Sequence, residues 1–199
     1  NQYLALGYIL APVTHLVHVR KLPAATWMLI SSNGEKVRTE CYWDYSNFFH
    51  NKVEISEAEA EQRIIELFDR AVQRRLISDV PVGAFLSGGI DSAATVAFMK
   101  KYHQGELHTF SVGFNSASYN ESEAAEFTSK LLGTIHHGKT LRQEEGLALV
   151  EEAVAVFDEP FCDNSMIPML FVSRLAAEKV KVVLSGDGAD ELFAGYITY

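Results

Sequence analysis

Two short glycine-rich turns carry the residues best suited to chemistry. The first is LSGGIDS, Leu86 to Ser92, placed between a short apolar run and an alanine-rich segment. Gly88 and Gly89 let the backbone turn tightly and approach a ligand, leaving amide hydrogens at the start of a helix. Such a helix end carries about half a unit of positive charge, which favours an anion. Ser87 and Ser92 can add hydroxyl donors. Asp91 is the odd member, because its carboxylate repels a phosphate unless a divalent cation lies between them. Mg²⁺ suits that arrangement, held by one or two carboxylates plus phosphate oxygens. An ordinary strand-to-helix turn, capped by Asp91, explains the same residues equally well. The P-loop spacing G-x-x-x-x-G-K-[ST], with its lysine, is absent.

The second turn is LSGDGADELFAGY, Leu184 to Tyr196. It also follows an apolar run and holds Gly186 and Gly188 with Asp187, Asp190 and Glu191. Three carboxylates within five residues repel one another unless a cation or basic partners intervene. A metal shared by Asp91 and Asp190 resolves the oddity of both turns. A solvated acidic turn is the alternative.

The elements that must position these turns are legible from periodicity. The segment from Thr26 to Trp43 reads as a β-hairpin around Asn33-Gly34, and DYSNFFHNKVEI as a linker. From Ser56 onward, helix-length and strand-length segments alternate. Ser56 with Glu59 forms a capping-box signature for a helix carrying Ile64, Phe68, Ala71 and Leu76 on one face. A strand over Val80–Leu86 leads to a helix over Asp91–Tyr102. LHTFSVGF is a second strand, and Asn120 with Glu123 caps a helix through Leu132. TIHHGKT is a third strand, and Gln143–Phe157 is a helix. Ser165 caps a helix that tolerates Pro168 in its first turn, and VKVVLS is a fourth strand. The expected fold is α/β, an open parallel sheet with helices on both faces, preceded by an N-terminal β portion. The expected domains are residues 1–55 and 56–199. In such sheets ligands bind beyond the carboxyl ends of the strands, which selects Ser87–Ser92, Ser111–Phe114 and Ser185–Glu191.

Bulk composition is compatible with this reading. The 199 residues are 48% hydrophobic and 22% charged, ordinary values for a domain with a real core. A net charge of −9 argues against duplex nucleic acid or an anionic membrane as the main partner. The two cysteines, Cys41 and Cys162, lack metal-type spacing and indicate free thiols in a reducing compartment. No apolar run approaches the roughly 18–20 residues that span a bilayer. The apolar YLALGYILAPV near the start reads as core rather than a signal peptide. The chain opens on Asn1 and closes on Tyr199, soon after the second turn, so a fragment of a longer protein is expected.

Several motifs together carry a family resemblance. DVPVGAFLSGGIDS resembles the pyrophosphate-binding loop of the N-type ATP pyrophosphatases. FSVGF, LGTIHH, DEPFCDNSMIP and VKVVLSGDGADELFAGY follow in the order found in one branch, the glutamine-hydrolysing asparagine synthetases. GYILAP, RKLPAA and YWD resemble the end of that family's glutaminase domain and its linker. The resemblance implies an adenine nucleotide alpha hydrolase-like fold, ATP and Mg²⁺, a cytoplasmic ligase, and a glutaminase domain in the same full-length chain, with homodimerisation compatible. It implies a two-step reaction in which a carboxylate, aspartate in the namesake enzyme, gives an acyl-adenylate and pyrophosphate. Glutamine-derived ammonia then releases AMP and the amide.

Carried over by residue, Ser87, Gly88, Gly89, Asp91 and Ser92 would hold the pyrophosphate portion, with Asp91 and Asp190 on Mg²⁺. Leu86, Val112, Ser185 and Gly186 stand where the family contacts ATP, the adenosine being met largely through backbone and apolar surface. Asp187 stands where relatives often carry glutamate, a position tied to proton transfer; the shorter side chain withdraws that carboxylate by one methylene. Asn1 is not the glutaminase's N-terminal cysteine, and a phosphate-contacting lysine of the family lies beyond residue 199. The piece is therefore expected to bind nucleotide weakly and turn over poorly. A related amidotransferase or cyclising synthetase acting on another carboxylate, and a non-catalytic nucleotide-binding module, are the competing readings. His136-His137, with opposite-facing side chains, reads as structural. Glu159, Asp163 and Asn164 fit either a substrate-facing role or loop capping. Cys162 lacks a histidine partner, and Arg74-Arg75 reads as a solvated face.

Overall fold

The computed structural model describes residues 2–115 and 121–196. Asn1, Asn120 and Tyr199 therefore lie outside the described residues. The chain divides into two compact units, one of them residues through Glu57 together with Val154–Asp163, the other Ala58–Ala153 with Asn164 onward.

The first unit opens with a short helix α1 (Gln2–Leu6) and contains the expected hairpin, β1 (Thr26–Ile30) antiparallel to β2 (Lys36–Cys41). Thr26 faces Cys41 and Trp27 faces Glu40 in its register. A short helix α2 (Ser46–His50) interrupts the expected linker. The apolar start is not core here: Leu4 is 84% exposed, and Tyr3, Leu6, Tyr8 and Leu10 are exposed as well. Residues 154–163 are tied in by backbone and charge. Cys162 N donates to Gly7 O at 2.8 Å, and Lys21 Nζ pairs with the Glu159 carboxylate while donating to Ile9 O at 2.8 Å. Cys41 and Cys162 are free and exposed.

The second unit begins with α3 (Glu57–Arg75), where Val72 is buried and Arg74 and Arg75 are exposed. Then follow β3 (Val82–Phe85), α4 (Ile90–Tyr102), β4 (His108–Phe114), α5 (Ser122–Leu132) and β5 (Ile135–Leu141). The helix expected over 143–157 is two helices, α6 (Gln143–Ala148) and α7 (Val150–Val156). Leu149 turns between them and is buried, its amide closing onto Gly146 O at 3.1 Å. Gly146 weakens the helix at this point, and the tighter three-residue turn aims Leu149 inward. The chain ends in α8 (Met166–Ala177), β6 (Val182–Leu184) and α9 (Ala189–Phe193).

The four strands form one parallel sheet in the order β5-β4-β3-β6. Alternation along the strands feeds both faces. On one face Val82, Ala84 and Leu86 pack with Val72, Val96, Met99, Leu107 and Ala125, joining α3, α4 and α5 to the sheet. On the other, Phe110 packs with Val172, Ala176 and Val180, placing α8 there. Leu141, Leu149 and Phe171 extend that side. This is the expected open α/β sheet covered on both faces. Among the described residues no helix is long and apolar enough to cross a membrane.

Candidate functional site

The strand order fixes where a ligand can enter. From β3 the chain steps outward to β4 and β5, then returns to the far side of β3 as β6. The crevice at such a reversal, beyond the carboxyl ends of β3 and β6, is where open α/β sheets take ligands. Both glycine turns issue into it: Leu86–Gly89 follows β3, and Ser185–Gly188 follows β6.

The turns are packed against each other at Gly186. A Cβ there would stand 2.9 Å from Ser92 N and 3.0 Å from the carbonyl carbon of Asp91. Only glycine lets the second turn come this close to the first turn of α4, so Gly186, Asp91 and Ser92 are brought together. Ser185 Oγ donates to Asp187 Oδ2 at 2.9 Å, and Tyr196 Oη donates to Glu191 Oε1 at 2.8 Å. Two of the turn's three carboxylates thus have hydroxyl donors. Asp91 and Asp190 are half-buried, while Asp187 is exposed. Among the described residues no group of three or more His, Cys, Asp or Glu side chains could hold a metal. Asp91 stands in the first turn of α4 and Asp190 in that of α9, one hard carboxylate following each glycine turn.

The first turn is organised by its own serines. Ser87 N donates to Ser92 Oγ at 3.1 Å, Gly89 N donates to Ser87 Oγ at 3.1 Å, and the two hydroxyls lie 2.9 Å apart. Ser92 is buried within α4, whereas Ser87, Gly88 and Gly89 are exposed. Gly88 N donates to Glu121 Oε2 at 3.0 Å. Sequence reasoning passed over Glu121, which lies 33 positions along the chain at the N-cap of α5. No local motif marks it; only the pairing of β3 with β4 brings α5 to the turn.

The remaining expected residues fall in the interior. Leu86 is fully buried in the core, and its amide donates to Phe110 O at 2.8 Å. Val112 is half-buried and packs against both clusters on the α8 side. Ser111–Phe114 is the carboxyl-end half of β4, as expected of LHTFSVGF, and Ser111 Oγ is engaged by His136 Nε2 at 3.1 Å. His136 and His137 point to opposite faces. His136 Nδ1 meets Thr109 Oγ at 3.0 Å, while His137 Nε2 meets His108 Nδ1 at 2.9 Å and its ring stacks on Phe110. Burial lowers the pKa of His136, followed by the adjacent His137 charge, with Glu126 opposing. Burial also lowers that of His137, followed by His108 and Lys179, with Glu178 opposing. Glu159 is committed to Lys21 in the first unit.

A parallel sheet with helices on both faces, and two glycine turns meeting where its strand order reverses, defines an α/β protein with a crevice at its topological switch point. Residues 63–199 match the asparagine synthase family, and the chain belongs to that family. A relative from Methanocaldococcus jannaschii is 37% identical over 99% of this chain and 38% of its own length. Asparagine synthetase (glutamine-hydrolysing) 1 of Bacillus subtilis is 36% identical over 100% of this chain and 31% of its own. For asparagine synthetase B of Escherichia coli the values are 30%, 91% and 34%. The chain thus spans about a third of the length of the curated relatives it matches. Among solved structures, the NH3-dependent NAD synthetase of Campylobacter jejuni is similar with a TM-score of 0.47 and 22% identity, covering 68% of this chain and 60% of that one. The NMN synthetase of Francisella tularensis is similar with a TM-score of 0.46 and 18% identity over 72% and 60%.

Proposed function

We propose that the protein performs the ATP-dependent half of an amide-forming ligase. A substrate carboxylate attacks the α-phosphorus of ATP, forming an acyl-adenylate and expelling pyrophosphate. Ammonia then attacks the acyl carbon, expelling AMP and leaving the amide. The observation that carries this reading is the contact of Gly186 with the backbone of Asp91 and Ser92. It joins two glycine turns into one crevice in a chain of the asparagine synthase family.

In this reading the amides and hydroxyls of Ser87, Gly88, Gly89 and Ser92 receive the departing pyrophosphate. Donors aimed at the oxygens where charge develops stabilise the departing group. Asp91 and Asp190 would hold Mg²⁺, which supplies charge neutralisation on the phosphate oxygens. Leu86 is buried, so it could meet a nucleotide through backbone alone, beside Ser185, Gly186 and the strand bearing Val112. Asp187, exposed and accepting the Ser185 hydroxyl, is the carboxylate this reading assigns to take a proton from the attacking ammonia. The carboxylate is assigned to aspartate and the ammonia to glutamine, delivered by a glutaminase domain of which residues 1–55 are the end. A cytoplasmic location accords with that metabolism.

The test is pyrophosphate release by the full-length protein across aspartate, other amino acids and simple carboxylates. Release with aspartate and ammonia, with asparagine formed in equal amount, is the expected result. Release only with a different acid overturns the substrate, and absence of release with every acid overturns the reaction.

A further inference from the structure

We propose that Glu121 is an internal anion latch on the phosphate turn, its carboxylate holding the Gly88 amide that a ligand's phosphate must take. The inference rests on the reading of Ser87–Ser92 as the phosphate-binding turn. Three backbone amides of that turn are engaged within the protein. Ser87 N and Gly89 N are held by serine hydroxyls, neutral acceptors that rotate easily. Gly88 N alone of the three is held by a charged acceptor, Glu121 Oε2 at 3.0 Å.

The contact is built in at the level of packing. A Cβ on Gly88 would lie 2.8 Å from Glu121 Cβ and 3.1 Å from Ala124 Cβ. Glycine at this position therefore lets the start of α5 sit directly on the turn. Glu121 is anchored from behind, since its carbonyl accepts Ala125 N at 3.0 Å and Ala125 is fully buried in the core. The helix cannot drift away, but the carboxylate can swing out by side-chain rotation alone.

Two consequences follow from charge. A phosphate entering the turn must break a charge-assisted hydrogen bond and then tolerate a displaced carboxylate beside it. A weakly charged anion gains too little to do both. A pyrophosphate, with more charge and more oxygens to share among the donors, gains enough. The latch thus biases the turn towards polyphosphate ligands and keeps small monoanions out.

The experiment compares the protein with Glu121→Gln and Glu121→Ala. Calorimetric titration with inorganic pyrophosphate should show both variants binding about tenfold more tightly or better, the scale of one lost charged competitor. Independently of any ligand, the Gly88 amide resonance should move upfield in Glu121→Ala. It can be picked out by labelling serine carbonyls and glycine amides, because Ser87-Gly88 and Ser185-Gly186 are the only Ser-Gly pairs in the sequence. Pyrophosphate binding that is unchanged or weaker in both variants overturns the latch, as does an unmoved Gly88 resonance. If Glu121→Ala fails to fold, the isosteric Glu121→Gln decides by its pyrophosphate affinity. Failure of all three proteins to bind pyrophosphate, with the resonance shifted, overturns the phosphate-turn reading and reduces the contact to a helix-to-loop tie.

Discussion

Gly186→Ala is the sharpest probe of how the two turns fit together. The added methyl would meet Ser92 N at 2.9 Å, with the carbonyl carbon and Cβ of Asp91 at 3.0 and 3.1 Å. Ordinary contacts of this kind begin at 3.4 Å, so about half an ångström must be found. The obstacles are chiefly backbone atoms in the first turn of α4, a helix anchored by buried Ser92, Thr95, Val96 and Met99. They cannot swing aside as a side chain would. Gly186 is not among the positive-φ glycines, so the effect is one of packing alone. Overpacking of a fitted contact costs about 1–3 kcal/mol. At roughly 2–4 °C per kcal/mol for a chain of this size, the melting temperature should fall by about 2–12 °C. Because binding sites need their donors within about 0.5 Å of the productive position, pyrophosphate affinity should fall with it. Gly146→Ala is the control. Its nearest neighbour would be Ile167 Cγ2 at 3.8 Å, and alanine favours a helix over glycine by about 0.5–1 kcal/mol. Thermal melting followed by circular dichroism, with calorimetric titration, measures both. A Gly186→Ala variant that melts and binds like the parent, or a Gly146→Ala variant that falls equally, refutes the reasoning.

Two further outcomes follow from the packing around the sheet and in the first unit. Both His136 and His137 have pKa values lowered in the fold, so the unfolded chain binds more protons below about pH 6.5. Stability is complete above that pH and should decline as pH falls through the lower folded values; a His136→Gln variant with an undiminished decline in melting temperature would count against this. Lys21→Met removes the partner of Glu159, both groups being about a third exposed or less. It should cost on the order of 1 kcal/mol and expose residues 154–163 to limited proteolysis, which peptide mapping would locate.

How far the sequence was legible depended on whether each signal was local. The hairpin around Asn33-Gly34 and the four parallel strands could be read because alternation and turn residues act over a few positions. The reading failed where neighbours distant in sequence decide. Gln143–Phe157 has the period of one helix, yet burial of Leu149 against Phe171 and Leu141 breaks it in two. The apolar start at Tyr3–Leu10 looked like core by composition, and its exposure depends on what packs there, which composition does not encode. Glu121 is the clearest case. It reaches Gly88 because β4 lies beside β3, a fact of topology rather than of motif.

Mg²⁺ dependence offers a last prediction whose sign separates a metal site from an acidic surface. The described residues hold no cluster of three or more candidate ligands, and Mg²⁺ releases its waters reluctantly. Asp91 and Asp190 alone should therefore bind it weakly, and strongly only when a pyrophosphate contributes oxygens. By linkage the same factor must appear in reverse, so Mg²⁺ should tighten pyrophosphate binding by as much as pyrophosphate tightens Mg²⁺ binding. In the metal's absence the two carboxylates only repel the ligand. Asp91→Asn and Asp190→Asn should then bind metal-free pyrophosphate as well as the parent or better, while losing most of the enhancement by Mg²⁺. Titrations with metal-free pyrophosphate and with the preformed magnesium complex give both quantities. If either variant keeps the full enhancement, that aspartate is not a ligand. If both weaken metal-free binding, the carboxylates are supporting the turn's structure rather than awaiting a cation.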